Sequence, residues 1–546
     1  MAQSEFTQLF SPLTIRDLTI PNRVVAGGLG WTWSTLDGKD TEPGPLLAAF
    51  WGHRAAGGLG LIISEPQSVH PSSTASPRVI ENSSDAVIEP YRAVTAAVHA
   101  HGTKIIAQLN HAGHLGSTGY TKLPLWAPSA IRAPQGSIFP AGGGVVPYAM
   151  DAGAIAEITE AFAAAAARSL ASDFDGVEIN AAEGYLLAEF LSPAVNRRSD
   201  EYGGGAEQRR RLLTEVVAAV RDRIGPNAVI GVRIGTDDHL EGGLTIDDVS
   251  EIAEALGSSG QVDYLHTTPS VQLTMAHEAG AYGELAEAAK RASGLPVIYS
   301  GWADGPETAE RLLEAGACDL VGMSRATLAD PELAKKAESG AAETIRPCLA
   351  CNQSCTTMGM ICIVNPAASM PGYGLTDAAN GANGTSKRIL VIGAGPAGMQ
   401  AACLLAERGH DITVWEREDH VGGQLIVAAN APSRERLGVL ATYLAADLER
   451  LGVSIEVGRT ATVEDVAELA PDTVVVATGA FGHLPDVPGV DQPNVVDVRS
   501  VLGGEAELGD RVLIVMGRAE HRFQALTTAE YVAERGKRVH VMTDAH

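Results

Sequence analysis

Between residues 24 and 324, short β-branched runs alternate with longer amphipathic stretches, and this alternation constrains the fold more than any other feature of the chain. The runs lie at 24–26, 61–63, 104–109, 176–179, 229–234, 262–265, 296–300 and 320–323. Stretches such as 155–172, 207–224, 247–258 and 307–315 are long enough for the crossover helices that neighbouring parallel strands require. Eight such units in roughly 300 residues fit a (β/α)8 TIM barrel, whose usual size is about 250 residues with insertions. An open doubly wound sheet is the alternative, disfavoured because no glycine-rich phosphate loop follows the first run.

The barrel does not account for all 546 residues, and a chain of that length exceeds what one hydrophobic core supports. With 45% apolar and 19% charged residues, the whole chain reads as globular. A formal charge of −26 repels phosphate backbones and anionic lipid surfaces, which argues against nucleic acid and membrane as partners. The N-terminus carries neither a basic n-region nor an apolar h-region, and the longest aliphatic run, 161–167, is followed by Arg168. A soluble, cytoplasmic protein is therefore expected. The sequence divides into a barrel at 1–343, a cysteine segment and linker at 344–386, and a second domain at 387–546.

That second domain opens as a Rossmann-like, dinucleotide-binding unit. An apolar strand at 388–392 runs into Gly393-Ala-Gly395-Pro-Ala-Gly398, a helix, a second strand at 411–415, and then Glu416 and Arg417. Glycines at these positions let the backbone approach a pyrophosphate at a helix N-terminus, and Glu416, 23 positions after Gly393, can bind a ribose hydroxyl. A tight structural turn is the alternative. Gly422-Gly423-Gln424 and the strand 473–477 running into Thr478-Gly479 resemble what flavoprotein disulfide-reductase-like domains place around FAD. A further strand at 512–516 opens what should be an NAD(P)H half-domain, yet residues 517–522 lack the glycines of a pyrophosphate-hugging loop, which weakens that expectation. The domain is expected to be C-terminally incomplete, because His546 closely follows the strand 538–542.

Of six cysteines, four crowd into Cys348-x2-Cys351-x3-Cys355-x6-Cys362, a spacing that suits metal ligands better than disulfides. Thiolates take iron–sulfur clusters or zinc, and spacing alone does not separate the two. If the domains on both sides carry flavins, as the resemblance given next implies, a 4Fe–4S cluster is favoured, since a redox-silent metal between two electron carriers contributes nothing to transfer. Cys318 and Cys403 read as small buried hydrophobes.

The segments 11–23, 106–113, 175–179, 191–193, 196–204 and 322–325 together resemble the old yellow enzyme superfamily. Four cysteines and a second domain after the barrel narrow the resemblance to the branch containing 2,4-dienoyl-CoA reductase and trimethylamine dehydrogenase. The resemblance implies that Ala26, Gly27 and Gly28 lie along the FMN ring, that Gln108 meets its pyrimidine edge, and that Arg233 lies near N1. It implies a phosphate site at Gly301, Gly322, Ser324 and Arg325, which is also where a barrel of this architecture is expected to hold one. With no cysteine in the first-strand loop, the covalent flavin link of trimethylamine dehydrogenase is not expected.

After the fourth strand, old yellow enzymes carry a His-x-x-His or His-x-x-Asn pair; here the sequence reads Asn180-Ala-Ala-Glu183-Gly-Tyr185. Glu183-Gly-Tyr185 looks like the dienoyl-CoA reductase version, in which the tyrosine protonates the carbanion left by hydride transfer. A packed aromatic at a helix start is the structural alternative for Tyr185. The histidine that partners this tyrosine in dienoyl-CoA reductases falls near Gln272, with His266 and His277 nearby; His266, at the end of the sixth strand, is favoured.

Three functions follow as expectations. The first is reduction of an activated C=C of enoate or 2,4-dienoyl-CoA type, with electrons passing from FAD through the cluster to FMN. The second is an amine dehydrogenase or N-demethylase that passes electrons outward to a carrier protein. The third is a non-catalytic electron-transfer or interaction module. A small-molecule substrate is expected in the first two, and homo-oligomerisation is compatible with all.

Overall fold

The computed structural model describes residues 5–28, 42–76, 79–133, 145–238, 240–270, 273–355, 361–368, 385–482, 484, 488–516 and 522–543. It forms two compact units, Met1–Thr376 and Asp377–His546.

In the first unit eight parallel strands close into a barrel in sequence order: β1 (Val24–Gly27), β2 (Leu61–Ser68), β3 (Lys104–Asn110), β4 (Gly176–Ala181), β5 (Val229–Gly235), β6 (Tyr264–Thr268), β7 (Val297–Tyr299) and β8 (Leu320–Gly322). Val321 of β8 pairs with Val24 of β1, and this closure excludes the open sheet. The expected crossover helices form at Ala152–Ala171, Ala206–Ile224, Ile246–Ser258 and Pro306–Glu314. Their starts are written locally: the Asp151 side chain accepts from Ala154 N, and Thr245 with Asp248 makes a reciprocal capping box.

Successive side chains of a strand face opposite ways, so alternate residues line the barrel in rows. Near the floor the lining is apolar. Val25, Ile63, Ile106, Val229, Tyr264, Ile298 and Leu320 pack together, sealed from below by Ile15 and Ile20 of the hairpin Leu13–Ile15/Leu18–Ile20. Two residues beyond Ile106 and Tyr264 come Gln108 and His266, and β4 adds Glu178 between them, all buried. The barrel is thus a hydrophobic plug below and a polar floor above, facing the end where barrel enzymes hold their ligands.

Two strands differ from expectation. β6 starts at Tyr264 rather than 262, because Asp263 is spent as a hub whose carboxylate accepts Ile230 N at 2.8 Å and pairs with Arg221 at 2.8 Å and with Arg16. His266 accordingly lies inside the strand and not at its end. β2 runs on to Ser68, with a register shift between Ile63 and Pro66 that accommodates a proline with no ladder donor.

The second unit holds a four-stranded parallel sheet. Its order is β11 (Ser454–Glu456), β10 (Asp411–Trp415), β9 (Arg388–Ile392), β12 (Thr473–Val476), the 3-2-1-4 order of a Rossmann half, with helix Pro396–Glu407 crossing from β9 to β10. A parallel pair, β13 (Arg511–Met516) and β14 (Arg538–Thr543), is joined by helix Arg522–Glu534. The glycine-poor stretch noted at 517–522 lies outside the described residues up to 521, as does Gln272. Among the described residues no helix is long and apolar enough to cross a membrane.

Candidate active site

At the centre of the barrel's polar floor is a residue that sequence reasoning passed over, Glu178. One carboxylate oxygen accepts Gln108 Nε2 at 2.7 Å; the other accepts the Tyr264 hydroxyl at 3.0 Å and meets His266 Nδ1 at 2.9 Å. Burial alone would raise this carboxyl, but the charge and hydrogen bond of His266, the Arg233 charge and the Gln108 hydrogen bond outweigh it and hold the group below its ordinary value. His266 Nε2 meets Ser300 Oγ at 2.7 Å. His266 is wholly enclosed, and its ring nitrogens are engaged by Glu178 and Ser300, so it is not shown as the partner expected for Tyr185. His277 turns onto its own loop, its Nδ1 accepting Thr274 N at 3.1 Å.

The residues assigned to FMN gather at the same end of the barrel. Gly27 leaves its Cβ position to Ile63, 2.7 Å away, and Ser324 bridges both Gly27 backbone groups, accepting from N at 3.0 Å and donating to O at 2.5 Å. Gly28, at φ 63°, faces the Arg233 guanidinium so closely that any Cβ would collide with it. Gly301 and Gly322 are packed against Tyr299 and Ser300. Arg325 directs Nη1 to Leu273 O at 2.5 Å and Asn352 Oδ1 at 2.7 Å, which spends part of its five-donor fork on the cysteine segment. Gln108 is tied downward to Glu178 and sideways to Asn180 Nδ2, which donates to its Oε1 at 3.3 Å. Arg233 Nε is buried with no hydrogen-bond partner among the described residues. A glycine-floored mouth with an unsatisfied guanidinium nitrogen and two oriented amides fits a flavin.

The chain leaves β4 through Glu183 and Gly184, both left-handed at φ 59° and 75°. For a non-glycine residue this costs of order 1 kcal/mol or more, and here the turn brings Glu183 Oε1 to 2.7 Å from Arg233 Nη2. Tyr185 follows, 2% exposed, at the start of helix Leu186–Leu191, packed on Ala75, Ala112 and Leu115. Burial first, and then the nearby Glu183 charge, push its phenol well above the ordinary range. Tyr185 also lines a pocket with Glu65, Ser73, Asn110 and Ala112, so packed aromatic and pocket wall are the same residue. Beside it, Ser72 Oγ lies between His70 Nδ1 at 2.8 Å and the buried His111 Nε2 at 3.0 Å.

In the second unit the three loop glycines have separate reasons. Gly393 turns at φ 105°, and Gly398 passes so near Gly393 O that no Cβ would fit, whereas a Cβ on Gly395 would meet open space. Open space there and close packing at Gly398 suit a backbone that receives a pyrophosphate. Glu416 spends one oxygen on Ala394 N at 2.7 Å and the other on Glu418 N at 3.1 Å, so it braces the loop. Gly423 faces Gly395, Gln424 Nε2 donates to Ala480 O at 2.8 Å, and Arg417 turns to Glu418.

Cys348, Cys351, Cys355 and Cys362 form no disulfides. Left-handed residues Ala350 and Asn352 turn the chain around Cys351, and Arg346 Nη1 and Arg54 Nη2 grip Val364 O and Ala368 O at 2.8 and 3.1 Å. Burial, then the neighbouring Cys348 charge, push Cys355 up to about 11; burial pushes Cys362 up to about 12. A metal must therefore displace protons to bind. Among the described residues no three His, Cys, Asp or Glu side chains converge as a site for one metal ion.

Residues 8–344 match the model of the NADH:flavin oxidoreductase / NADH oxidase family, and residues 387–545 match that of the pyridine nucleotide-disulphide oxidoreductases. The chain is 34% identical to the N,N-dimethylglycine/sarcosine dehydrogenase of Chromohalobacter salexigens, over 99% of this chain and 79% of that one. It is also 34% identical to an NADH oxidase of Thermoanaerobacter brockii, over 99% and 83% of the two chains. Among solved structures, that of a 2-naphthoyl-CoA reductase complex superposes with a TM-score of 0.90 at 28% identity, covering 98% of this chain and 83% of the other.

Proposed function

Because this chain belongs to the NADH:flavin oxidoreductase / NADH oxidase family of FMN-dependent oxidoreductases, we propose that it reduces an activated C=C of enoate or 2,4-dienoyl-CoA type, with Tyr185 as proton donor. When bound, FMN supplies the hydride transfer, and FAD with a 4Fe–4S cluster on Cys348, Cys351, Cys355 and Cys362 supplies its electrons.

The observation that carries the reading is the position of Tyr185, a buried phenol that lines a pocket with Asn110 and Ala112 and follows by two residues the Glu183 that pairs with Arg233. Burial keeps the phenol protonated at neutral pH, so it holds a proton to give to a carbanion and can recover one afterwards. Glu183 is engaged by Arg233, which keeps its charge from being an unpaired acceptor beside the phenol. Asn180 has its Oδ1 fixed by Ala182 N at 3.0 Å, and the Asn110 side chain lines the pocket. Similarity to a reductase of an aromatic acyl-CoA supports the same direction of chemistry.

A second reading, oxidation of a C–N bond with electrons passed to a carrier protein, is favoured by the similarity to a dimethylglycine/sarcosine dehydrogenase. The two separate under anaerobic mixing with NADH, NADPH or N-methylated amines. Bleaching of the flavin by a pyridine nucleotide and not by an amine supports the reductase; bleaching by an amine alone overturns it.

A further inference from the structure

The polar floor has a logic that the ligand contacts alone do not explain. An ionised carboxylate only accepts hydrogen bonds, so each group touching Glu178 must present a donor. Gln108 can satisfy this only by turning its nitrogen down to Glu178 Oε1, 2.7 Å away. Its oxygen then faces Asn180, which must offer Nδ2, at 3.3 Å. Asn180 is left with Oδ1 for Ala182 N, at 3.0 Å. The carboxylate at one end and the Ala182 N–H at the other thus agree on the orientation of the two amides between them, and the shorter contact, at 2.7 Å against 3.3 Å, is the one from Gln108 to Glu178.

Glu178 is itself held in the accepting state from the other side. The Tyr264 hydroxyl and His266 Nδ1 both address Oε2, and Ser300 braces His266 from behind. The Tyr264 ring reaches the axis because residue 231 is glycine; any Cβ there would strike the ring. Every side chain in the chain from Ser300 Oγ to Asn180 comes from a barrel strand or the residue following one, and Glu178, Gln108, His266 and Asn180 are at most 1% exposed.

We propose that Glu178 is a positioning residue that holds the Gln108 amide from beneath, in the orientation Asn180 also requires, so that the flavin's pyrimidine edge meets one set pattern of donors and acceptors. The inference rests on the reading of the barrel mouth as an FMN site. It differs from that reading in assigning the pattern to a residue beneath the contacts.

The test uses the full chain stripped of FMN and retitrated, with FMN affinity read by flavin fluorescence and thermal unfolding of the flavin-free protein as control. Glu178→Gln should weaken FMN by about tenfold, the value of one hydrogen bond, and shift the bound flavin's visible spectrum. In a Gln108→Ala background the same change should have little further effect. The exchange Glu178→Gln with Gln108→Glu keeps a carboxylate–amide pair for folding while reversing its direction, and should bind FMN as poorly as the single variant. Equal losses in both backgrounds, or an exchanged protein that binds FMN like the parent, would overturn the inference alone. A parent protein that takes up no FMN overturns the reading of the mouth and this inference together.

Discussion

Glu183 and Arg233 form an ion pair at 2.7 Å, and Glu183 adopts a left-handed backbone to make it. Arg233 is 6% exposed, lies against Gly28, and has no other carboxylate partner among the described ion pairs, so its charge is balanced by the acid on the loop that follows β4. The cation expected beside flavin N1 and the acid expected beside the substrate are therefore one electrostatic unit.

Removing the acid should be felt at the flavin. Glu183→Gln leaves the Arg233 charge uncompensated, which favours the reduced, anionic ring; the midpoint potential should rise, by about 30 mV if the effect is tenfold in the two-electron equilibrium. A dye-coupled reductive titration reads this, and an unchanged potential would show that Arg233 does not sense the flavin.

Acid should destabilise the first unit through two buried histidines. Burial, then the charge of His70, lowers His111 to about 3, and burial lowers His114 to about 4, from an ordinary 6.5. Between these values the unfolded chain binds more protons than the folded one, so stability falls as pH drops below about 6.5, by about 1.4 kcal/mol per unit for each histidine. His114→Gln should flatten the curve of unfolding free energy between about pH 6.5 and 4 relative to the parent.

The three loop glycines of the second unit should respond differently. Gly395→Val places a side chain in open space, so the protein should fold normally and lose FAD while keeping FMN. Gly398→Val collides with Gly393 O and should lower the unfolding temperature as well. Cofactor content after acid extraction, with thermal unfolding, distinguishes them; retention of FAD by Gly395→Val would contradict the pyrophosphate assignment.

Oxygen-protected protein should contain about four irons per chain, no stoichiometric zinc, and a broad visible absorption beneath the flavin bands. Cys351→Ser should abolish the iron while leaving FMN bound in the barrel. Stoichiometric zinc in place of iron would remove the electron relay from the account.

Much of this was legible in the sequence because a closed parallel barrel repeats one strand–helix rule eight times, and each repeat can be read alone. Of the two strands that differed, β6 was misplaced by two residues because Val262 continues an apolar run while the neighbouring Asp263 carries a bonding load that only the folded structure assembles. Glu178 was overlooked for a similar reason. Between Val177 and Ile179 it looks like a stray charge in an apolar strand, and its partners Gln108, Tyr264 and His266 come from strands far away in sequence. The usable signal was that Gln108, Glu178, Arg233 and His266 all interrupt apolar strands with polar side chains, as only a filled polar interior would allow. The roles of Tyr185 and Glu183 came from resemblance; the turn that joins Glu183 to Arg233 has no signature in single residues.

The oxidative half-reaction tests the central claim most directly. Enzyme reduced anaerobically, then mixed with an enoate or 2-enoyl-CoA, should recover its oxidised flavin absorbance in a single turnover, and Tyr185→Phe should slow that recovery by about 10²-fold or more, as expected for loss of a general acid. Equal rates for parent and variant, or no recovery with any C=C substrate while a methylated amine bleaches the oxidised enzyme, would contradict it.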